Sequence, residues 1–580
     1  MNIDSAPPIA AVLTCLALAP HPATEASAQV IRGVVVDSAS QQPLPAVLVS
    51  LADSADRSLQ RFLAGATGEF QFLIPRPGRY SVQAERLGMK TETVEHIDVA
   101  ADKTVSLRII LTHLPITLEG IEASGDRRCE LPRDLGLETA RVWEEARKVL
   151  GAADFTSSAD VYVYDLGKYV RELEPGSLKI LSESHSFWST VNERPIESRP
   201  VEVLLAGGWV SREPEGHRYF GPDAHVLLSD EFLDTHCMQL RARDESPPNL
   251  VGLEFRPVRI QSRRTQIRGV LWLSRETGGL EWLEFGYLNL PGPAEEAKSD
   301  QIGGRVEFRG LPDGSWIVSK WHIRMPRVVE EVRRVLHYNV RRPRLKGIVE
   351  EGGWVLEARS RETGNIAFAE HGGVIAGQVR EMGGPEPGPG GRVALVGTGV
   401  AVDLDPGGRF MIPRLPEGTY QLSYLHPSLG GLDRNYALAD AIVRSGDTTS
   451  VHLQPANPHA VLARACGLED WAPWTGVVQG HVLLPGSRVA ASGITVVAEW
   501  EEWGTTVGGA WPRGRAMHVA TETNALGAFR LCGVPADLTS VEVSAGEGRD
   551  RVTLNATLSE EKPVVKITLE LARVPPEGGR

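Results

Sequence analysis

Fifteen histidines and five cysteines are the residues of this 580-residue chain with most capacity for chemistry. A zinc hydrolase needs paired ligands close in sequence, H-x-x-E or H-E-x-x-H, with a further ligand elsewhere. No histidine in the sequence has glutamate at the third position after it. The nucleophile elbow G-x-S-x-G and the phosphate-cradling G-x-x-x-x-G-K-[ST] are also absent from the sequence. His236-Cys237 is an adjacent His/Cys pair, but neighbours on a strand point to opposite faces and cannot easily cooperate. The sequence therefore offers no catalytic residue, no cofactor site and no metal ligands. Stacking is the other chemistry in view. The insert "AEWEEWGTTVGGAWPRG" (498–514) sets Trp503 and Trp511 among Gly, Thr and Glu, where flat aromatic faces can hold sugars. Trp500 ends an apolar strand and reads as core; capping of a sandwich is the plainer reading of Trp503 and Trp511.

The elements that must position these residues are repeated. Residues 65–89 read "GATGEFQFLIPRPGRYSVQAERLGM", and residues 405–424 read "DPGGRFMIPRLPEGTYQLSY". Each copy is a turn glycine, a short strand with an inward Phe, a Pro-bearing turn, then Gly-x-Tyr opening a second strand. Alternation after the tyrosines (Tyr80, Val82, Ala84; Tyr420, Leu422, Tyr424) has the period two of a half-buried strand. Gly78 and Gly418 are expected at matching turns, supplying positive φ before inward-facing Tyr80 and Tyr420. The unit occurs a third time, more loosely, around Gly527-x-Phe529 in "NALGAFRLCGVP".

Around these hairpins the sequence divides into 1–28, a signal peptide; 29–112, 373–455 and 475–572, three small β-sandwiches; 113–372, a larger antiparallel β domain; 456–474, a linker; and 573–580, a tail. Each sandwich has the rhythm of about seven short strands. Four cysteines follow the signal segment, Cys129, Cys237, Cys466 and Cys532, and none lies in C-x-x-C spacing. An even count in an oxidising compartment implies disulfides, with three possible connectivities. The domain boundaries favour Cys129 with Cys237 and Cys466 with Cys532.

The first unit resembles the carboxypeptidase regulatory-like domain, of the transthyretin-like (prealbumin-like), carbohydrate-binding-like β-sandwiches. Val36-Asp37, Pro43-Leu44, Ala46, Val47, Thr67, Gly68, Phe70, Pro77, Gly78 and Tyr80 carry the resemblance. Pro45 stands where the pattern has Gly. The second unit follows the pattern less closely and the third only loosely. The resemblance implies a non-catalytic module found in envelope proteins and outer-membrane receptors of bacteria.

In the middle block, "LETARVWEEARKVLGAA" (137–153) reads as a helix with Val142, Ala146, Val149 and Leu150 on one face. Hairpins follow at 267–291, around Glu276–Gly279, and at 303–326, turning at Pro312-Asp313-Gly314, with Trp272, Trp282, Trp316 and Trp321 as packing residues. This layout resembles lipoprotein-carrier folds, in which a curved sheet holds a helix and an apolar ligand. The fold class is thus mainly β, three sandwiches flanking a larger antiparallel β domain with one helix. A net charge of −13 argues against nucleic acid as partner. The basic stretch 333–346 reads as an arginine-rich exposed strand pair.

Residues 7–19 form an apolar run too short to span a bilayer, followed by Ala26-Ser27-Ala28 as a cleavage site; Asp4 and the lack of Lys or Arg before it depart from the usual signal. The chain reads as exported: periplasmic, outer-membrane-associated or secreted, with no transmembrane helix. Its leading function is non-enzymatic binding or scaffolding, with glycan, peptide or envelope protein as partner. The alternatives are an apolar-ligand carrier using the middle domain, and an accessory subunit of a peptidase or outer-membrane receptor system. Amino-terminal sequencing of the exported protein is expected to begin at Gln29; a cytoplasmic protein retaining Met1 would overturn the reading.

Overall fold

The computed structural model describes residues 29–114, 137–191, 198–213, 216–297, 300–335, 338–380, 391–433, 438–455, 457–504, 513–537, 540–546, 548 and 551–572. Residues 1–28, expected to be a signal peptide, and Cys129 lie outside them. The described chain is mainly β.

Three sandwiches share one topology. In the first, strand Gln29–Asp37 is central to a three-stranded sheet between Glu69–Ile74 and Thr104–Leu111, and Leu48–Asp53 and Gly78–Glu85 are the inner strands of a four-stranded sheet. Gly373–Val379 and Thr475–Leu483 hold the equivalent central place in the second and third. In each, the central strand pairs antiparallel with the Gly-x-Phe strand and parallel with the last strand. The parallel pair was not legible in the alternation, because its partners lie at opposite ends of the unit and pair only after the chain has crossed the sandwich.

One cross-strand contact recurs. Gly33 pairs with Phe70, Gly377 with Phe410 and Gly480 with Phe529. A Cβ on Gly33 or Gly377 would sit 2.7 Å from the partner Phe ring, and one on Gly480 would sit 1.7 Å from the Ile567 carbonyl oxygen. The glycine is the space the ring and the neighbouring strand need. Two residues before each Phe, Gly68, Gly408 and Gly527 turn the chain at φ of 67°, 69° and 67°. Asp405 and Asn524 tighten two of these turns by accepting from the amides of Gly407 and Arg409 (2.9 and 2.7 Å) and of Leu526 and Ala528 (2.9 and 3.0 Å). Where the family pattern has Gly before Ala46, the chain has Pro45, and Ala46 itself takes the left-handed φ of 52°.

Tyr80 and Tyr420 are buried, and each hydroxyl donates to the carbonyl four residues earlier, Arg76 at 2.6 Å and Pro416 at 3.1 Å. Gly78 and Gly418 do not have positive φ; each opens an ordinary strand. A Cβ at Gly78 would touch only Tyr80 at 3.6 Å or beyond, whereas one at Gly418 would meet the His185 ring at 2.9 Å. The two positions match in sequence but are glycine for different reasons.

The middle domain is a ten-stranded antiparallel sheet. Its order begins at His236–Leu240 and runs through Leu250–Pro257, Gln266–Ser274, Leu280–Leu288, Gly303–Gly310, Trp316–Val335, Tyr338–Ser360 and Tyr162–Leu173 to Ile180–Thr190, and the tenth strand, Ile366–Ala369, pairs with Tyr338–Ser360 off this path. Helix Leu137–Ser158 buries Val142, Ala146, Val149 and Leu150, and short helices at Val201–Gly207, Ala224–Leu227 and Asp230–Thr235 accompany it. One sheet face carries Leu253, Leu271, Leu283 and Tyr164, all buried; the Tyr164 hydroxyl donates to the helix carbonyl of Thr156 at 3.0 Å. Among the described residues no helix is long and apolar enough to cross a membrane.

The glycine contacts predict a contrast within the first sandwich. Gly33→Ala should cost more than the ~1 kcal/mol of glycine propensity, and Gly78→Ala should be nearly neutral. Hydrogen exchange of the sandwich amides in the full chain distinguishes them, and equal protection in the two variants would contradict the packing argument.

Candidate functional site

The sheet face opposite the helix is polar because period two puts every other residue there. The cross-strand register aligns Glu254 with Val270, Val270 with Glu284, Glu284 with Arg305, and Arg305 with His322. These residues, with Arg241, Arg268, Asp300, Gln301 and Arg324, line a groove of about 620 Å³. That is within the roughly 300–1,000 Å³ range of ligand sites. Gly286 and Gly303 lower its floor: above Gly286 nothing but the Ile302 carbonyl lies within 4 Å of an added Cβ.

Most charges in the groove are tied to one another. Arg305 reaches Glu284 at 3.5 Å and Glu307 at 3.1 Å, and its guanidinium lies 4.1 Å over the Trp282 ring. Trp272 and Trp282 both donate to Glu284, at 3.3 and 3.0 Å. Arg241 is 3.8 Å from Glu254, and its Nε is buried with no hydrogen-bond acceptor among the described residues. Arg268 is exposed and has no ion-pair partner among the described residues. Burial first, with Arg324, Lys320 and Arg305 adding to it, holds His322 down to about 4 against the pull of Glu350, so its ring is neutral at neutral pH.

Beyond Arg324 the same face carries a dense ion cluster. Glu350 accepts from Arg324 at 2.6 Å and from Arg171 at 3.1 Å, and Arg171 also pairs with Glu183 at 2.5 Å. The Arg171 guanidinium lies 4.1 Å over Tyr169. The second sandwich seats on this cluster. The Thr419 amide donates to Glu183 at 3.0 Å, Tyr420 stacks on His185 at 4.4 Å, and Arg414 pairs with Glu357. Burial would raise Glu183, but the His185 ring at 3.5 Å, the Thr419 amide and Arg171 hold it at about 2.

The residues singled out from sequence fall elsewhere. Cys466 and Cys532 are bonded, with Cα atoms 6.1 Å apart, joining helix Pro458–Ala465 to the third sandwich beside buried Leu429, Leu462, Val477 and Val564. Cys237 is buried and disulfide-bonded, while Cys129 lies outside the described residues. His236 stacks on Phe232 at 3.9 Å, with Nδ1 3.1 Å from the Phe232 carbonyl, and burial lowers its pKa to about 4. It packs and does not face Cys237. Trp500 packs against the third core. Trp503 closes strand Thr495–Gly504, its side chain outside the description, and Trp511 lies outside the described residues altogether. The space bounded by Trp188, Trp321 and Trp354 between sheet and helix is about 20 Å³, room for one water rather than an acyl chain.

Sequence reasoning passed over the groove. Its signal is present in Arg305-x-Glu307 and Lys320-x-His322-x-Arg324, charges two apart on apolar strands. Alternation shows that such residues share a face, but not which face stays open.

Residues 30–112 match the model of the carboxypeptidase regulatory-like domain, and this part of the chain is a domain of that class. No curated protein matches the chain. Among solved structures, the chain is similar to the major pilin subunit BcpA of Bacillus cereus, at 7% identity over 94% of this chain and 100% of that one, with a TM-score of 0.13. A streptococcal ancillary pilin matches at 11% identity over 48% and 94%, TM-score 0.13. The 5-hydroxyisourate hydrolase of Klebsiella pneumoniae matches at 17% identity over 15% and 85%, TM-score 0.13. Likenesses at this level place no activity on this chain.

The Glu183 contacts set a pH dependence. Its carboxyl titrates at about 2 in the folded chain against an ordinary 4.5. The depressed carboxylate contributes stability that is complete above pH 4.5 and lost as pH falls toward 2. Small-angle scattering should show the second sandwich loosening from the sheet across that window, and Glu183→Gln should be looser at neutral pH and insensitive to it. A scattering profile unchanged in both cases would show that the cluster does not hold the sandwich.

Proposed function

We propose that this chain is an exported, non-enzymatic binding and scaffold protein of the cell envelope, and that its ligand is a carboxylate-bearing glycan laid along the groove of the middle sheet. The observation that carries the reading is the glycine-lowered groove with Arg268 on its rim and no partner for that guanidinium among the described residues. Guanidinium groups recognise carboxylates with two parallel hydrogen bonds. Arg241, with its Nε 3.8 Å from Glu254, adds positive charge to the same lining. Glu254, Glu284 and Asp300 in the lining supply acceptors for hydroxyls.

The Cys466–Cys532 bond supports export, since such bonds persist in oxidising compartments. The three sandwiches support the scaffold part of the reading, because each spends its buried residues on its own core. The apolar-carrier reading has the one-water space beside Trp321 and a pocket of about 260 Å³ lined by Leu204, Leu205, Trp209, Pro257 and Val258 together with Arg259, Arg264 and Gln266.

A glycan array with residues 29–580 should select uronic-acid-bearing chains over neutral ones. Arg268→Glu should weaken that binding about tenfold or more, the scale of one charged hydrogen bond. Retained affinity in Arg268→Glu, with loss in Trp503→Ala, would move the site to the third sandwich; selection of acidic peptides instead would change the ligand class.

A further inference from the structure

The pocket of about 260 Å³ lies beside His236–Leu240, the first strand of the ten-stranded sheet. Helices Val201–Gly207 and Asp230–Thr235 contribute to it, and so does the loop between strands Leu250–Pro257 and Gln266–Ser274. Its apolar walls are Leu204, Leu205, Trp209, Pro257 and Val258, of which Leu204 and Trp209 are almost fully buried. The buried His236 ring, held on Phe232 at 3.9 Å, belongs to the same lining. An apolar cavity of about 150 Å³ accepts benzene, so the volume here suits a body of roughly ten non-hydrogen atoms. A long acyl chain or an oligosaccharide exceeds it.

The remaining side of the pocket is polar and its charge is unbalanced. Arg259 and Arg264 line it, both exposed, and neither has an ion-pair partner among the described residues. Asp234 is the one carboxylate in the lining, and burial holds His236 down to about 4, so its ring is neutral at neutral pH. Two guanidiniums therefore stand against one carboxylate. The loop that carries them is tied in place. The Gln266 side chain accepts from the Gln261 amide at 2.7 Å and donates to the Arg259 carbonyl at 2.9 Å. Asn289 donates to the Gln261 carbonyl at 2.9 Å. Arg264 donates to the Leu205 carbonyl at 3.2 Å, which uses one of the five N–H groups of a guanidinium. A loop held in this way needs little further ordering when a ligand enters. A neutral apolar guest would use the walls alone. Guanidiniums beside those walls suit a guest that ends in a carboxylate, which arginine holds with two parallel hydrogen bonds.

We propose that this pocket is a second binding site, for a small aryl or branched-chain carboxylic acid whose apolar body lies against Leu204, Trp209 and Pro257 and whose carboxylate pairs with Arg259 and Arg264. The pocket and the groove share no residue, so the two readings stand or fall separately.

The test is isothermal titration calorimetry of residues 29–580 with phenylacetate and with its neutral isostere phenylacetamide. Phenylacetate is expected to bind at a single site, about tenfold or more tighter than the amide. Arg259→Glu should weaken phenylacetate about tenfold or more and leave the amide unchanged. Arg259→Gln repeats the measurement if the charge-reversed variant fails to fold, as judged by circular dichroism. Leu205→Trp fills the pocket and should weaken both probes, whereas Arg268→Glu alters only the groove and should weaken neither. No binding of phenylacetate, equal affinity for acid and amide, or undiminished binding of the acid by a folded Arg259 variant would each overturn the proposal. Loss of phenylacetate binding in Arg268→Glu alone would overturn it too, because the acid would then sit in the groove.

Discussion

A phenylalanine ring lying on a glycine across two antiparallel strands is the contact on which the modular part of this protein rests. Gly33 under Phe70 and Gly377 under Phe410 leave no room for even a methyl group. The ring fills the centre of the sandwich, where Phe70, Phe410 and Phe529 are all nearly fully buried. The left-handed glycine two residues earlier sets the register that brings the ring over its partner. Slipping that register by one residue would turn every side chain of the strand to the other face. One glycine for space, one for φ and one ring therefore specify each sandwich.

The middle domain solves a different problem. A ten-stranded sheet has two faces, and one helix with short companions covers one of them. The other face is given to charge. Where it is buried under the second sandwich, the charges are paired and hydrogen-bonded to one another, which is the condition for burying them without a large desolvation cost. Glu183, Arg171 and Glu350 meet that condition. Where the face is open, Arg268 is left to solvent or ligand.

Gly78 and Gly418 show how a repeat diverges while keeping its letters. Both precede an inward tyrosine whose hydroxyl reaches back four residues. Only Gly418 meets another domain, and the close approach of His185 there depends on the missing side chain. A position that merely opens a strand in one copy thus serves as a docking surface in the other.

The sandwich repeat, the inward Phe and Tyr residues, the long helix and the middle hairpins were legible in the sequence, because each rests on local periodicity and turn residues within some twenty positions. The bond between Cys466 and Cys532 agreed with an argument from boundaries, since the linker that carries Cys466 leads directly into the sandwich that holds Cys532. What tertiary structure alone decided involves residues far apart in the chain: the parallel pairing inside each sandwich, the identity of the open sheet face, and the gathering of Arg171, Glu183, Glu350 and Thr419 into one cluster. Alternation shows that Arg305, His322 and Arg324 stand on a common side of their strands. Whether that side is core, interface or groove depends on which surfaces the rest of the chain leaves uncovered, and no local pattern carries that information.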